Sequence, residues 1–153
     1  MRVLLDSSVL RALRSPSRDE AVRSTLAPLA ADNLFLSVLT VGELASAIEL
    51  VVDRRKKRDL ATWLTGLESH FADRILPVSY DVAHRWGELT ACLAQRNLIL
   101  PVVDGLLAAT ALCHGLHFVT HETEMLSATW ALILDPWRVR AESSRSEPVV
   151  HIE

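Results

Sequence analysis

Four acidic residues, Asp6, Glu43, Asp104 and Glu122, recur at comparable places along the chain. Asp6 ends the apolar run Val3-Leu4-Leu5, and Glu43 comes one helical turn after a second apolar run. Asp104 opens an alanine-rich stretch, and Glu122 follows His117-Phe118-Val119-Thr120 by two residues. Four carboxylates held close together repel one another and stay partly protonated unless a cation joins them. Hard oxygen ligands without accompanying thiolates favour magnesium, or manganese. Such an ion activates water and neutralises charge developing on a phosphate, which suits metal-assisted hydrolysis of phosphodiesters. No serine–histidine–acid triad and no phosphate-cradling glycine loop competes, since the five glycines never form one.

Each acid also has a purely structural use. Asp6, followed by Ser7 and Ser8, can cap or turn the chain into a helix. Thr40-Val41-Gly42-Glu43 matches a capping box, in which Glu43 serves only the helix start. Asp104 suits the first turn of a helix through the helix dipole. Glu122, beside Glu124, can simply face solvent. The joint placement of the four carries the chemical reading.

Alternating patterns set the elements that must position them. Val3–Leu5 and residues 34–38 are strand-like, as are 74–78, 117–120 and 131–134. Pro77 places the third of these at an edge. Helical spacing marks residues 8–14, a segment carrying Val22, Leu26 and Leu29 up to Ala31, residues 41–53 capped by Thr40, and the face of Leu60, Leu64, Leu67 and Phe71. Further helices follow Ser79 and run over 103–114, the latter ended by Gly115. A short helical turn is expected near 122–127. Ser15-Pro16-Ser17 reads as a break, and Asp53–Asp59 as a charged connection. Strands alternating with helices predict an α/β domain whose mostly parallel sheet has four or five strands. In such a sheet the four acids share one edge. One domain is expected over 1–137, with a polar C-terminal tail at 138–153.

The 153 residues are half hydrophobic and 23% charged, enough for one sizeable core. A net charge of −3 excludes a generally basic nucleic-acid binder but not a local basic patch. Cys92 and Cys113 fit reduced core thiols better than a disulfide framework. Asp6 cuts the first apolar run too short for a secretory signal, and no later run spans a bilayer, so a cytoplasmic protein is expected.

The chain resembles the PIN-domain ribonucleases, and within them the VapC-type toxins of bacterial toxin–antitoxin pairs. LLDSSVL, TVGELASAI, PVVDGLLAATAL and FVTHE resemble the family's four acidic motifs in order, and ILDPW its closing strand. The resemblance implies a PIN fold, a magnesium-dependent ribonuclease acting on RNA, and Asp6, Glu43, Asp104 and Glu122 as catalytic and metal-binding residues. It also implies a homodimer and a cognate antitoxin that occupies the active-site groove. Ser8 stands where the family usually has asparagine, and Glu122 where aspartate or asparagine is commoner. Those departures keep open a non-catalytic PIN subunit that binds an antitoxin within a DNA-binding complex, and a DNA nuclease shares the same chemistry.

His114, His117 and His121 resemble a zinc set at first sight. Gly115 and strand alternation separate them. His121 adjoins Glu122 and is a candidate substrate contact. Arg54–Arg58, the only dense basic run, is either a solvated connection or a phosphate rail. Trp63 and Trp86 are expected to pack rather than stack on bases.

Overall fold

A computed structural model describes residues 1–15 and 19–138. The expected break at Pro16-Ser17 and the polar tail beyond Arg138 lie outside the described residues. Five strands form one all-parallel sheet in the order β3-β2-β1-β4-β5. They are β1 (Val3–Leu5), β2 (Leu34–Ser37), β3 (Ile75–Leu76), β4 (His117–Val119) and β5 (Leu132–Leu134). The helices are α1 (Ser7–Arg14), α2 (Glu20–Leu26), α3 (Val38–Glu49), α4 (Arg54–His70), α5 (Tyr80–Gln95) and α6 (Val102–His114). Short 3-10 turns cover Ala31–Asn33 and Leu126–Thr129.

The central strand explains itself. Val3, Leu4 and Leu5 are fully buried, because a parallel strand in mid-sheet has protein on both faces and reads as an unbroken apolar run. Side chains alternate across it. Val3 and Leu5 pack with Val9, Leu36, Leu44 and Leu64 on one side, whereas Leu4 packs with Leu89, Leu107 and Phe118 on the other. The first core is closed by α1 to α4, the second mainly by α5 and α6. β3, with Pro77 just beyond it, is an edge strand as its proline requires.

Several boundaries differ from expectation for local reasons. α2 stops at Leu26 because Pro28 has no N–H to continue the ladder. β2 ends at Ser37, whose hydroxyl accepts from Leu39 N at 3.1 Å, so α3 begins at Val38 and not at 41. It also ends at Glu49 rather than 53. Thr40 is therefore inside the helix and caps nothing. Asp53 accepts from Lys56 N at 2.7 Å and starts α4, so the basic run is helical rather than a connection. The turn expected near 122–127 forms later, over Leu126–Thr129. Ser79 caps α5, and Gly115 ends α6 with φ +61°, as expected. Cys113 is exposed rather than in a core, and both cysteines are free. Among the described residues no helix is long and apolar enough to cross a membrane.

Gly105 of α6 lies close against Trp86 of α5. A Cβ there would stand 2.9 Å from Trp86 Cδ1 and 3.0 Å from Nε1. Gly105→Ala gains about 1 kcal/mol of helix propensity but incurs roughly 1–3 kcal/mol of overpacking. The expected result is a net loss of up to about 2 kcal/mol and a melting temperature lower by up to about 8 °C, followed by circular dichroism. An unchanged value would show that Trp86 turns aside freely.

Candidate active site

Parallel strands deliver their C-terminal ends to one edge, and the helices running back between them return their N-termini to it. Asp6 leaves β1 there, α3 starts there after β2, α6 starts there before β4, and Thr120 leaves β4 there. This is the edge at which open parallel sheets bind ligands.

Asp6 is the anchored member, only 8% exposed. Its backbone N donates to Val119 O at 3.1 Å, tying it to the end of β4. Ser8 Oγ donates to Asp6 Oδ2 at 2.7 Å and Thr120 Oγ1 donates to the same oxygen at 3.0 Å. The serine in the unusual position thus supplies a supporting hydrogen bond directly. Thr120 Oγ1 in turn accepts from Glu122 N at 3.1 Å, which fixes the backbone carrying Glu122.

The other acids report one another's presence. Burial raises the pKa of Glu43 above its ordinary value, and the charges of Asp6 and Asp104 add to the rise. The Ser7 hydroxyl and the Arg11 guanidinium partly oppose it. Burial likewise raises Asp104, reinforced by Asp6 and Glu122. All four sequence-predicted acids therefore belong to one electrostatic neighbourhood. They form no closed cage: among the described residues, no three histidine, cysteine or acidic side chains are gathered tightly enough to enclose an ion as they stand. Glu122 is exposed, at the mouth.

Glu43 is the informative residue. Ser37, not Thr40, caps α3, so the capping-box role does not apply. Its Oε2 is buried and has no hydrogen-bond partner among the described residues. An unpaired buried carboxylate oxygen is costly unless something positive meets it. Beside it a groove of about 580 Å³ follows α3, with Arg11 and Ser7 at one wall and Leu39, Leu44 and Leu50 among its apolar lining.

Asp135, read in the sequence only as the end of a strand, belongs to the same edge. It is 8% exposed, and its Oδ1 accepts from Trp137 N at 2.9 Å. His121 Nδ1 lies 3.8 Å from that oxygen, and the His121 ring meets Trp137 edge-on at 4.9 Å. Asp before Pro136 is a helix-start signal that could have identified its hydrogen-bonding role. The three histidines do not converge on a metal site. Trp63 and Trp86 are half-buried against the two cores or helices, as expected.

With this geometry in place, the comparisons are decisive. The family profile described as PIN domain matches residues 3–130. The chain belongs to the PIN-domain family. It is 30% identical to Toxin FitB of Neisseria gonorrhoeae, over 88% of this chain and 98% of that one. It is 27% identical to the VapC ribonuclease Y4jK of Sinorhizobium fredii, over 88% and 97%. The structure of FitAB bound to an IR36 DNA fragment superposes with a TM-score of 0.82 at 28% identity, covering 88% of this chain and 95% of its own. The PIN domain and the ribonuclease relative support a nuclease, and the fold is the family's.

Proposed function

We propose that this PIN domain is the ribonuclease toxin of a toxin–antitoxin pair and cleaves RNA with a magnesium ion, or manganese, held by its four acids. The observation that carries the reading is the buried, unpartnered Oε2 of Glu43 among like charges. The relatives named toxin and VapC ribonuclease support the biological setting. Hard carboxylate oxygens without thiolates fit magnesium. An open set also fits, because magnesium keeps several waters and takes few protein ligands.

Asp6, Glu43 and Asp104 would hold the ion, with Glu122 at the outer side, directly or through water. When bound, the ion supplies positive charge against the phosphate and makes water a better nucleophile. The chain's own part is placement. Ser8 and Thr120 both donate to Asp6 Oδ2 and so fix the carboxylate's orientation, which leaves the other oxygen for the cation. Arg11 and Ser7 hold the Glu43 side of the pocket, and α3 and α6 present Glu43 and Asp104 from rigid helix starts. The antitoxin partner occupies the α3 groove, the active form is a homodimer, and the protein acts in the cytoplasm.

Glu43→Gln tests the assignment. Because Glu43 has no capping duty, the change should leave melting unchanged or slightly raised while cleavage falls by roughly a hundredfold or more, about 3 kcal/mol of transition-state stabilisation. Cleavage of total RNA with magnesium and thermal melting are measured on the same preparation. Wild-type cleavage by the variant would remove Glu43 from the site.

A further inference from the structure

We propose that the first turns of α4 form a phosphate-binding face that grips the single strand of RNA flanking the cleaved bond. The inference rests on the ribonuclease reading and extends it to where the substrate runs. Residues 53–59 carry a net charge of +3, so the rest of the chain carries −6. The chain is thus acidic overall, with its densest basic run on α4. Arg54, Arg55, Lys56 and Arg58 are exposed, and none forms an ion pair with a carboxylate among the described residues. Lys57 alone is paired, its Nζ 2.6 Å from Glu49 Oε2.

The placement is unfavourable for the helix itself. Cations crowd the end of α4 where the helix dipole is already positive, and the single capping carboxylate of Asp53 offsets them only in part. A solvated helix face has no use for that conflict, whereas a face awaiting polyanion does. Arg54, Lys57 and Arg58 share one side of the helix and line a single shallow depression with Ala61.

The face also lies on the way out of the active site. The groove beside Glu43 runs along α3 past Ser46 and Ala47 to Leu50. Glu49, at the end of that helix, holds Lys57. Six residues of helix separate Glu43 from Glu49, roughly 9 Å of rise. An RNA strand leaving the acidic pocket along α3 meets the basic face within a few nucleotides. Repulsion from the carboxylates is offset there by Arg54 and Arg58, sequence-independently, as phosphate contacts are.

The test is binding of a fluorescein-labelled oligouridylate in EDTA, by anisotropy across a salt series. Wild type is compared with Arg54→Gln/Arg58→Gln and with a charge-matched control, Arg2→Gln/Arg85→Gln. Glutamine keeps helix propensity, and relief of the dipole conflict should leave melting unchanged or higher. The α4 variant should bind on the order of tenfold more weakly at about 0.1 M salt, with its salt slope reduced by roughly 1.4. The control should match wild type. With magnesium, the α4 variant should raise KM and leave kcat unchanged. Unchanged affinity and slope, or an equal loss in the control, would overturn the proposal. So would retained RNA binding with weakened antitoxin binding, which would assign the face to the protein partner. Wild-type binding lost in the α4 variant without any cleavage would support this face while defeating the ribonuclease reading.

Discussion

Asp104→Asn should abolish RNA cleavage, by roughly 10²–10⁴-fold or about 3–5 kcal/mol, and should make the metal-free protein more stable. The two effects share one cause. Asp104 is pushed toward its protonated form first by burial and then by the charges of Asp6 and Glu122. At neutral pH its charge is a liability to the fold unless a cation is present, and asparagine removes that charge at nearly constant volume. Wild type should gain melting temperature as magnesium is added, and the variant should gain much less. Cleavage assays and a magnesium melting series on both proteins check this. Full activity in the variant at saturating magnesium would sink the assignment. Induced wild type should also arrest growth where the variant does not.

The same shifts fix a pH dependence. The folded protein binds protons at Glu43 and Asp104 more tightly than the unfolded chain does, because both pKa values are raised. Stability from this source is fully present below the ordinary carboxylate range. It is lost as pH rises through the raised values. Metal-free wild type should therefore lose stability across that window, Asp104→Asn should lose less, and magnesium should flatten the slope.

What the sequence revealed and concealed follows from the range of the forces involved. The strands were legible because burial on both sheet faces demands unbroken apolar runs, as at Val3–Leu5. The four acids were legible because parallel topology makes strand ends and helix starts coincide. Helix starts were harder. Ser37 and Thr40 are both acceptable caps and both are fully buried; the end of β2 at Ser37, whose hydroxyl accepts from Leu39 N, is what chooses between them. That choice decided whether Glu43 was structural or available. Asp53 hid in a charged run that looked like a loop, because its capping bond depends on a helix that the cations themselves disfavour. Gly105 was invisible as a contact, since its meaning lies in Trp86 across the helix pair. Asp135 offered a local signal in Asp-Pro for its bond to Trp137 N, but its approach to His121 arises only when β4 and β5 pair.

The antitoxin should insert an arginine or lysine among Asp6, Glu43 and Asp104, and this pairing should dominate its affinity. The pocket has a buried carboxylate oxygen without a donor and two acids whose charges oppose each other. A cation from the partner would relieve both, and arginine suits best because its planar fork can bridge two carboxylates. Next to the pocket, Val38, Leu39, Leu44, Ala47 and Leu50 give the groove an apolar lining. An amphipathic helix from the partner would lay its apolar face there and deliver the cation at one end. Inhibition would then be occlusion, with magnesium and the partner's cation competing for the same oxygens. The neighbouring antitoxin is titrated against wild type and Asp104→Asn across a magnesium series by calorimetry. Loss of a paired charge predicts weaker binding to the variant by about 2–5 kcal/mol, thirtyfold or more. Affinity for wild type should fall as magnesium rises, and affinity for the variant should respond less. Equal affinities without magnesium dependence would place the partner elsewhere on the domain and leave the pocket to the substrate alone.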